Sequence, residues 1–319
     1  MRILTWHVHG SWSTAFVQGR HTYLLPVLPD RSRDGLGRAQ TWDWPENAVE
    51  LSPEELADTA IDLVVLQRPE EIELAERWTG RRPGRDLPAV YVEHDAPRGH
   101  AVTSRHPLAD QTAIPIVHVT HFNHVMWDNG TAPTAVIEHG VIDPGARYTG
   151  DAASLAVVVN EPVRRGRVAG TDIVTDLAVD LPVDVYGMGM DALAASAPGR
   201  RWTLHENYPQ HRLHDALGSH RAYLHPYRWT SLGLALIETM MLGLPVLGLS
   251  TTEGPRAVPA DAGLLTNDLT ALAAQARRWL DEPDEARAAG AAGRAHALAH
   301  YGLDRFLTDW DDLLGKVSR

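Results

Sequence analysis

Residues 220–252 read HRAYLHPYRWTSLGLALIETMMLGLPVLGLSTT, and this stretch decides the fold. A short apolar run at 222–225 predicts a buried strand. Apolar residues at helical spacing predict a helix over 234–242, and Gly243 is placed to cap its carboxyl end. A second apolar run at 246–249 predicts another strand. A strand, a helix and a strand in this order form a βαβ unit, so we expect the sheet to be parallel.

A polar loop at 226–233 connects the first predicted strand to the helix. In open α/β sheets, ligands bind beside the carboxyl ends of the strands, where this loop lies. One charged residue, Glu238, interrupts the apolar sequence of the helix. The stretch therefore predicts a ligand site.

The composition of the chain is that of a globular protein with a large core. Its 319 residues are enough for two domains. A formal net charge of −12 argues against nucleic acid as the main partner. The chain has no cysteine, which excludes disulfides and thiolate sites. No apolar run approaches the ~20 residues of a membrane span, and the chain starts without a signal peptide, so we expect a cytoplasmic protein.

Strand and helix patterns alternate along the whole chain. Strands are predicted at 2–8, 61–67, 89–93, 116–119, 135–138, 155–159 and 183–187, besides the two strands above. Helices are predicted from Ser52, which opens a capping box, and at 70–78, 121–127, 173–179, 211–219, 269–280, 284–301 and 304–317. Residues 29–50 and 160–172 are interpreted as loops, and 143–153 as a linker. Two doubly wound α/β domains are the expected architecture.

Three segments resemble one enzyme family. Residues 230–246, TSLGLALIETMMLGLPV, resemble the donor-site signature E-G-F-G-Φ-x-Φ-Φ-E-A-M-A-x-G-x-P-V, where Φ is apolar, of GT-B glycosyltransferases of the GT4-like retaining group. VIEHGVID at 136–143 resembles the family's V-I-x-N-G-V-D, with His139 in the Asn position, and residues 280–301 resemble its penultimate helices.

The resemblance implies a GT-B fold, in which two Rossmann-like domains face a central cleft. Residues 1–147 would form the acceptor domain, joined by a C-terminal helix at 303–319 that crosses back to it. Residues 148–302 would form the donor domain. The implied activity is transfer of a sugar from a nucleotide-diphosphate-sugar to an acceptor hydroxyl, with retention and without a metal or cofactor.

The acceptor is not readable from the sequence and is a small molecule, a glycan or a lipid. Two alternatives remain open. One is a GT-B epimerase that acts on a nucleotide-sugar. The other is a non-catalytic protein that binds a nucleotide-sugar on this scaffold.

The resemblance also assigns the donor site. Glu238 matches the second glutamate of the family's E-x7-E pair, which accepts hydrogen bonds from ribose hydroxyls, whereas Thr230 replaces the first glutamate. The backbone N–H groups that would face the diphosphate, at the helix amino terminus, belong to Ser231, Leu232, Gly233 and Leu234. Tyr227, with Arg228 and Trp229, is expected either to contact the nucleotide or to line the site.

An arginine-rich segment is expected to bind the diphosphate. One alignment of residues 160–172 with the family's G-R-L-x-x-x-K-G places Arg164 at the arginine position, and another places Arg165 at the lysine position. Guanidinium groups form bidentate contacts with phosphate and stabilise the charge of a leaving diphosphate. Both registers remain open at this point.

In the first domain, His94 matches a strand-end histidine of the family that lies beside the donor sugar and is expected to be catalytic together with Glu238. Gly10 matches the Gly-rich loop after the first strand, where a glycine lets the backbone approach a ligand closely. His118, His121 and His124 have the spacing of metal ligands, but a zinc site needs a further ligand and we predict none.

Overall fold

The computed structural model describes residues 1–40 and 42–318. The chain forms two compact units. The first unit comprises Met1–Ile142 and the segment from Leu303 onward, and the second comprises Asp143–Gly302. The division falls between Ile142 and Asp143, and the carboxylate of Asp143 pairs with Arg294 of the same unit at 2.8 Å.

The first unit contains a parallel sheet in the order β3-β2-β1-β4-β5-β6-β7. Its strands are β1 (Arg2–Thr5), β2 (Thr22–Pro26), β3 (Ala48–Leu51), β4 (Leu63–Leu66), β5 (Ala89–Glu93), β6 (Ile116–His118) and β7 (Thr134–Val136). The helices between them are α1 (Gly10–Phe16), α2 (Pro53–Ala57), α3 (Glu71–Thr79) and α4 (His121–Met126).

The second unit contains a parallel sheet in the order β10-β9-β8-β11-β12-β13. Its strands are β8 (Ala152–Val158), β9 (Val183–Gly187), β10 (Trp202–Glu206), β11 (His220–His225), β12 (Val246–Gly248) and β13 (Gly263–Leu265). Its helices are α5 (Pro162–Ala169), α6 (Thr171–Leu177), α7 (Met190–Ser196), α8 (Gln210–Ser219), α9 (Leu234–Leu242), α10 (Gly254–Ala257), α11 (Leu269–Asp281) and α12 (Pro283–Tyr301).

Both sheets have the strand order of a Rossmann-like fold. The order reverses between β1 and β4 in the first sheet and between β8 and β11 in the second. A crevice opens at the carboxyl edge of such a sheet where the order reverses, because the flanking helices lie on opposite faces. The fold therefore places the loops after β1, β4, β8 and β11 at two candidate sites.

The last helix, α13 (Leu303–Val317), completes the first unit. Phe306 and Trp310, four residues apart on one helix face, are buried against α1. The Trp310 ring lies 5.1 Å from that of Phe16 and 5.7 Å from that of Trp12. This aromatic contact explains why a C-terminal helix belongs to the N-terminal unit.

Several local predictions are confirmed. Ser52 and Glu55 form the capping box of α2, with Pro53 at its first position. Helix α9 spans the predicted residues, and Gly243 ends it in a left-handed conformation with φ 99°. Residues 222–225 and 246–248 lie in adjacent parallel strands, as the βαβ interpretation requires.

The loop predictions for 160–172 and 29–50 are wrong in part. Residues 162–177 form α5 and α6, with Pro162 opening α5 at a position where its missing N–H costs nothing. Gly166 and Gly170, with φ 46° and 73°, bend the chain within and after α5. Residues 48–51 form β3, which lies at the edge of its sheet and carries a weak apolar pattern.

Helix α12 contains glycines for a steric reason. A Cβ on Gly290 would lie 1.9 Å from the carbonyl oxygen of Gly243, at the end of α9. Only a residue without a side chain allows the two helices to approach this closely. Among the helices of the described residues, none is both long and apolar enough to cross a bilayer.

Candidate functional site

The second sheet presents a helix amino terminus at its switch point. The loop at 226–233 leaves β11 and leads into α9, whose N-cap is Gly233. No side chain in the described part of the chain caps this end of the helix, so the N–H groups of its first turn are placed to bind a ligand. Of the predicted contact residues, Ser231 and Leu232 are buried, whereas Thr230, Gly233 and Leu234 are half-buried.

Tyr227 and Arg165 lie together beside this loop. Tyr227 is 8% exposed, and its hydroxyl donates to the carbonyl of Val158 at 3.2 Å, which joins the loop to the end of β8. The Arg165 guanidinium lies 5.1 Å from the centre of the Tyr227 ring, within cation–π range. Arg164 is exposed and forms an ion pair with Glu161 instead. The structure thus brings Arg165, and not Arg164, to Tyr227.

The junction of α5 and α6 supports the same loop. Gly170 has φ 73°, and a Cβ there would lie 2.0 Å from the carbonyl oxygen of Pro226. Arg228 donates two hydrogen bonds to the carboxylate of Asp172, at 2.6 and 2.8 Å. These bonds lower the pKa of Asp172. Arg228 therefore holds the loop against α6 and has a structural role that the sequence did not indicate.

Glu238 lies in the second turn of α9 and is 6% exposed. Its Oε2 accepts a hydrogen bond from Nε2 of Gln210 at 2.7 Å and lies 3.3 Å from Nε2 of His214. Gln210 and His214 are one turn apart on α8, so one face of that helix contacts the carboxylate. The carboxylate is oriented by these partners before any ligand binds.

The first sheet presents His94 directly after β5. Its Nε2 lies 3.1 Å from Oε1 of Gln67, which follows β4. The amide of Gln67 donates its own N–H to the carbonyl of Trp6, after β1, at 2.7 Å. This orients Oε1 as the acceptor, so Nε2 of His94 carries the proton and Nδ1 is an acceptor. The ends of three neighbouring strands thus fix the His94 ring.

Two more histidines lie close to His94. The His9 ring centre is 4.0 Å from that of His94, and His139 is buried nearby. Burial holds the pKa of His94 well below its usual value, and the nearby His9 and His139 lower it further. Burial also lowers the pKa of His139 to about 3. The cluster is neutral at neutral pH and therefore offers hydrogen bonds rather than positive charge.

A cavity of about 300 Å³ opens beside these residues, with His9, Gln67, His94 and Trp127 in its wall. Gly10 is the first residue of α1 and directly follows the loop that leaves β1, so its predicted contact with a ligand stays a prediction. Among the described residues, the atoms nearest to a Cβ on Gly10 would be 3.9 Å away. Its backbone conformation and surroundings therefore do not require glycine.

Two of the three histidines with metal-like spacing have other partners. Nε2 of His118 lies 2.9 Å from the side-chain oxygen of Asn129, and Nε2 of His124 lies 3.1 Å from the hydroxyl of Thr134. Within residues 1–40 and 42–318, no group of three or more histidine or acidic side chains could hold a metal ion.

The sequence interpretation missed several residues at these two sites. Gln67 ends a predicted strand, and this position is the signal that could have found it. Gln210 and His214 carry a weaker signal, a polar pair spaced by four residues in a predicted helix. Their contact with Glu238 depends on how α8 and α9 pack and is not visible in the sequence.

The architecture is shared with solved structures. Sucrose-phosphate synthase from Thermosynechococcus elongatus superposes with a TM-score of 0.74 at 14% identity, over 99% of both chains. HepE from Anabaena, solved in complex with UDP, superposes with a TM-score of 0.69 at 12% identity, over 99% of this chain and 100% of the HepE chain. A glycosyltransferase from Rickettsia africae superposes with a TM-score of 0.65 at 12% identity, over 99% of this chain and 98% of the Rickettsia chain. The fold is therefore GT-B, as predicted.

A family comparison points the same way. Residues 166–312 match a family model described as glycosyl transferase-like, and this range contains α9 and the loop before it. No curated protein matches the sequence. The resemblance to GT-B glycosyltransferases is thus confirmed, whereas the GT4-like subgroup is not distinguished by these matches.

Proposed function

We propose that the chain transfers a sugar from a nucleotide-diphosphate-sugar to an acceptor hydroxyl. The observation that carries this proposal is the uncapped amino terminus of α9 at the switch point of the second sheet, flanked by Arg165 and by the oriented carboxylate of Glu238. A helix amino terminus and a guanidinium favour a diphosphate, and a carboxylate accepts hydrogen bonds from ribose hydroxyls. HepE, which shares the fold, was solved in complex with UDP and with UDP-glucose.

The proposed chemistry relies on position and electrostatics. As the glycosidic bond to the diphosphate breaks, negative charge builds on the leaving oxygen, where the N–H groups of α9 and Arg165 stabilise it. We propose that the configuration is retained because the leaving diphosphate itself accepts the proton of the acceptor hydroxyl on the face from which it departs. No metal ion takes part in this proposed reaction.

The carboxyl edge of the first sheet is the proposed acceptor side. His94 is neutral and held by Gln67, so it is suited to accept a hydrogen bond from a sugar hydroxyl through Nδ1. The cavity of about 300 Å³ beside it has room for a sugar-sized group. The acceptor itself, a small molecule, a glycan or a lipid, is to be identified by screening.

The test combines binding with turnover. Calorimetry with UDP, GDP and ADP identifies the base, and a panel of sugar donors with each acceptor class follows. Glu238→Ala is expected to weaken binding of the nucleoside diphosphate about ten- to a hundredfold, because charge-assisted hydrogen bonds are lost. His94→Ala is expected to abolish transfer with little change in that affinity.

The matched controls are Glu73→Ala and His100→Ala, which alter exposed residues of the same types. Wild-type turnover in both site variants would contradict the site assignment. Binding of a nucleoside diphosphate without transfer or hydrolysis of any donor would favour a non-catalytic binding protein, and isomerisation without acceptor would favour an epimerase.

A further inference from the structure

His225 is a buried histidine beside the loop at 226–233, which leads into α9. It is the last residue of β11, is 6% exposed, and lies on the strand face that Tyr223 shares. Its Cε1 atom is 3.2 Å from the position that a Cβ on Gly233 would take. Cε1 lies between the two ring nitrogens, so the nitrogen-bearing edge of the imidazole faces the N-cap of α9.

The ring has an unused polar atom. Nδ1 of His225 is buried and has no hydrogen-bond partner among the described residues. Its ring neighbour Tyr227, with centres 4.8 Å apart, directs its hydroxyl to the carbonyl of Val158 instead. Buried polar atoms in native proteins are nearly always hydrogen-bonded, so an unpaired one beside a site indicates a missing partner.

The surroundings identify that partner as an anion. The ring faces the positive end of the nine-residue helix α9, and the Arg165 guanidinium lies 5.1 Å from the centre of the Tyr227 ring. The titratable groups packed around the ring are Tyr223 and Tyr227. The negative charge of Glu238 contributes to the raised pKa of Tyr223. In the free protein, burial lowers the pKa of His225 to about 4, so the ring is neutral. A diphosphate at the helix terminus would favour the protonated ring instead, because a nearby negative charge raises the pKa of an imidazole.

We propose that His225 belongs to the diphosphate site, and that its imidazole takes up a proton from solvent when a nucleoside diphosphate binds and donates an N–H to a phosphate oxygen. This inference rests on the proposed function, because it requires a diphosphate at α9. It adds that donor binding is coupled to protonation of the protein. Affinity for the diphosphate therefore rises as the pH falls toward 6.

The experiment measures UDP binding by calorimetry between pH 8 and pH 6, in buffers of different ionisation enthalpy. His225→Gln retains a neutral donor, and His225→Phe removes it. UDP itself titrates in this pH range, but its titration affects the wild type and the variants equally and therefore cancels in a ratio of dissociation constants. The ratio of the His225→Gln dissociation constant to that of the wild type is expected to grow about tenfold from pH 8 to pH 6, by linkage. The wild type alone should show the extra proton uptake.

Two controls make the result specific. His300→Gln alters an exposed histidine on α12 and should behave as wild type. Uridine lacks the phosphates, so its affinity should be the same for wild type and both His225 variants, and thermal melting shows that the variants fold. A ratio that stays constant with pH, or an equal loss of uridine and UDP affinity, overturns the role of His225. Absence of binding of UDP, GDP and ADP to the wild type would instead overturn the proposed function, and the inference with it.

Discussion

Replacement of His139 by glutamine is expected to make the first unit less sensitive to acid. His139 is 4% exposed, and its pKa is lowered from 6.5 to about 3, chiefly by burial and further by the positive charge of Arg305 and by His9. The unfolded chain binds a proton near pH 6.5, whereas the folded protein does not. The neutral histidine therefore contributes stability above pH 6.5 that is lost as the pH falls toward 3.

The size of the effect follows from the two pKa values. At pH 5, the unfolded state gains about 2 kcal/mol from protonation of this histidine, since each pKa unit is worth about 1.4 kcal/mol and pH 5 lies about 1.5 units below the unfolded value. The folded state gains almost nothing at that pH. A buried histidine that His139 does not perturb, such as His118, contributes equally in wild type and variant, so its contribution cancels in the comparison.

The assay is urea unfolding at pH 7.5 and at pH 5.0, followed by tryptophan fluorescence. Trp12, which packs edge-on against His94 at 5.1 Å, reports on the first unit. Between the two pH values, His139→Gln should lose about 2 kcal/mol less of its unfolding free energy than the wild type. His100→Gln, at an exposed histidine, is the control and should leave the pH dependence unchanged. An unaltered pH dependence in His139→Gln would refute the reasoning.

Two further predictions concern packing and the donor site. Gly290→Ala should destabilise the second unit by about 1–3 kcal/mol or more, because the new Cβ would lie 1.9 Å from the Gly243 carbonyl. A Cβ on Gly315 would meet no atom of the described residues within 4 Å, so Gly315→Ala should stabilise α13 by about 0.5–1 kcal/mol. Thermal melting compares the two variants. Gln210→Ala should weaken UDP binding severalfold at unchanged melting temperature, because Glu238 loses the donor at 2.7 Å that orients it. If calorimetry shows unchanged affinity, Gln210 has no positioning role.

Local patterns were sufficient for much of the fold. The apolar spacing and terminal glycine of α9 predicted its bounds, and the capping box of α2 predicted its start. Such signals act within a few residues of each other, so the sequence carries them directly. Edge strand β3 and the kinked helix α5 were interpreted as loops, because a half-exposed strand and a Gly- and Arg-rich helix lack a clear apolar period.

The sequence indicated part of the proposed donor site. The signature at 230–246 located the amino terminus of α9 and Glu238, but the sequence left Arg164 and Arg165 as alternatives. The conformation of α5 separates them, since Arg164 pairs with Glu161 while Arg165 lies over Tyr227. The choice depends on the bend at Gly166 and on packing against a loop far along the chain.

By itself, the sequence determined the alternation of strands and helices and the GT-B resemblance, and it indicated the loop before α9 as the candidate donor site. Only the tertiary structure decided which side chains contact the candidate site residues. His94 is oriented by Gln67, Glu238 by Gln210, and His225 faces Gly233. These pairs join different strands and helices, and parallel strands bring them together at one edge of a sheet only after the chain has folded. Contacts of this kind leave no period or local motif in the sequence.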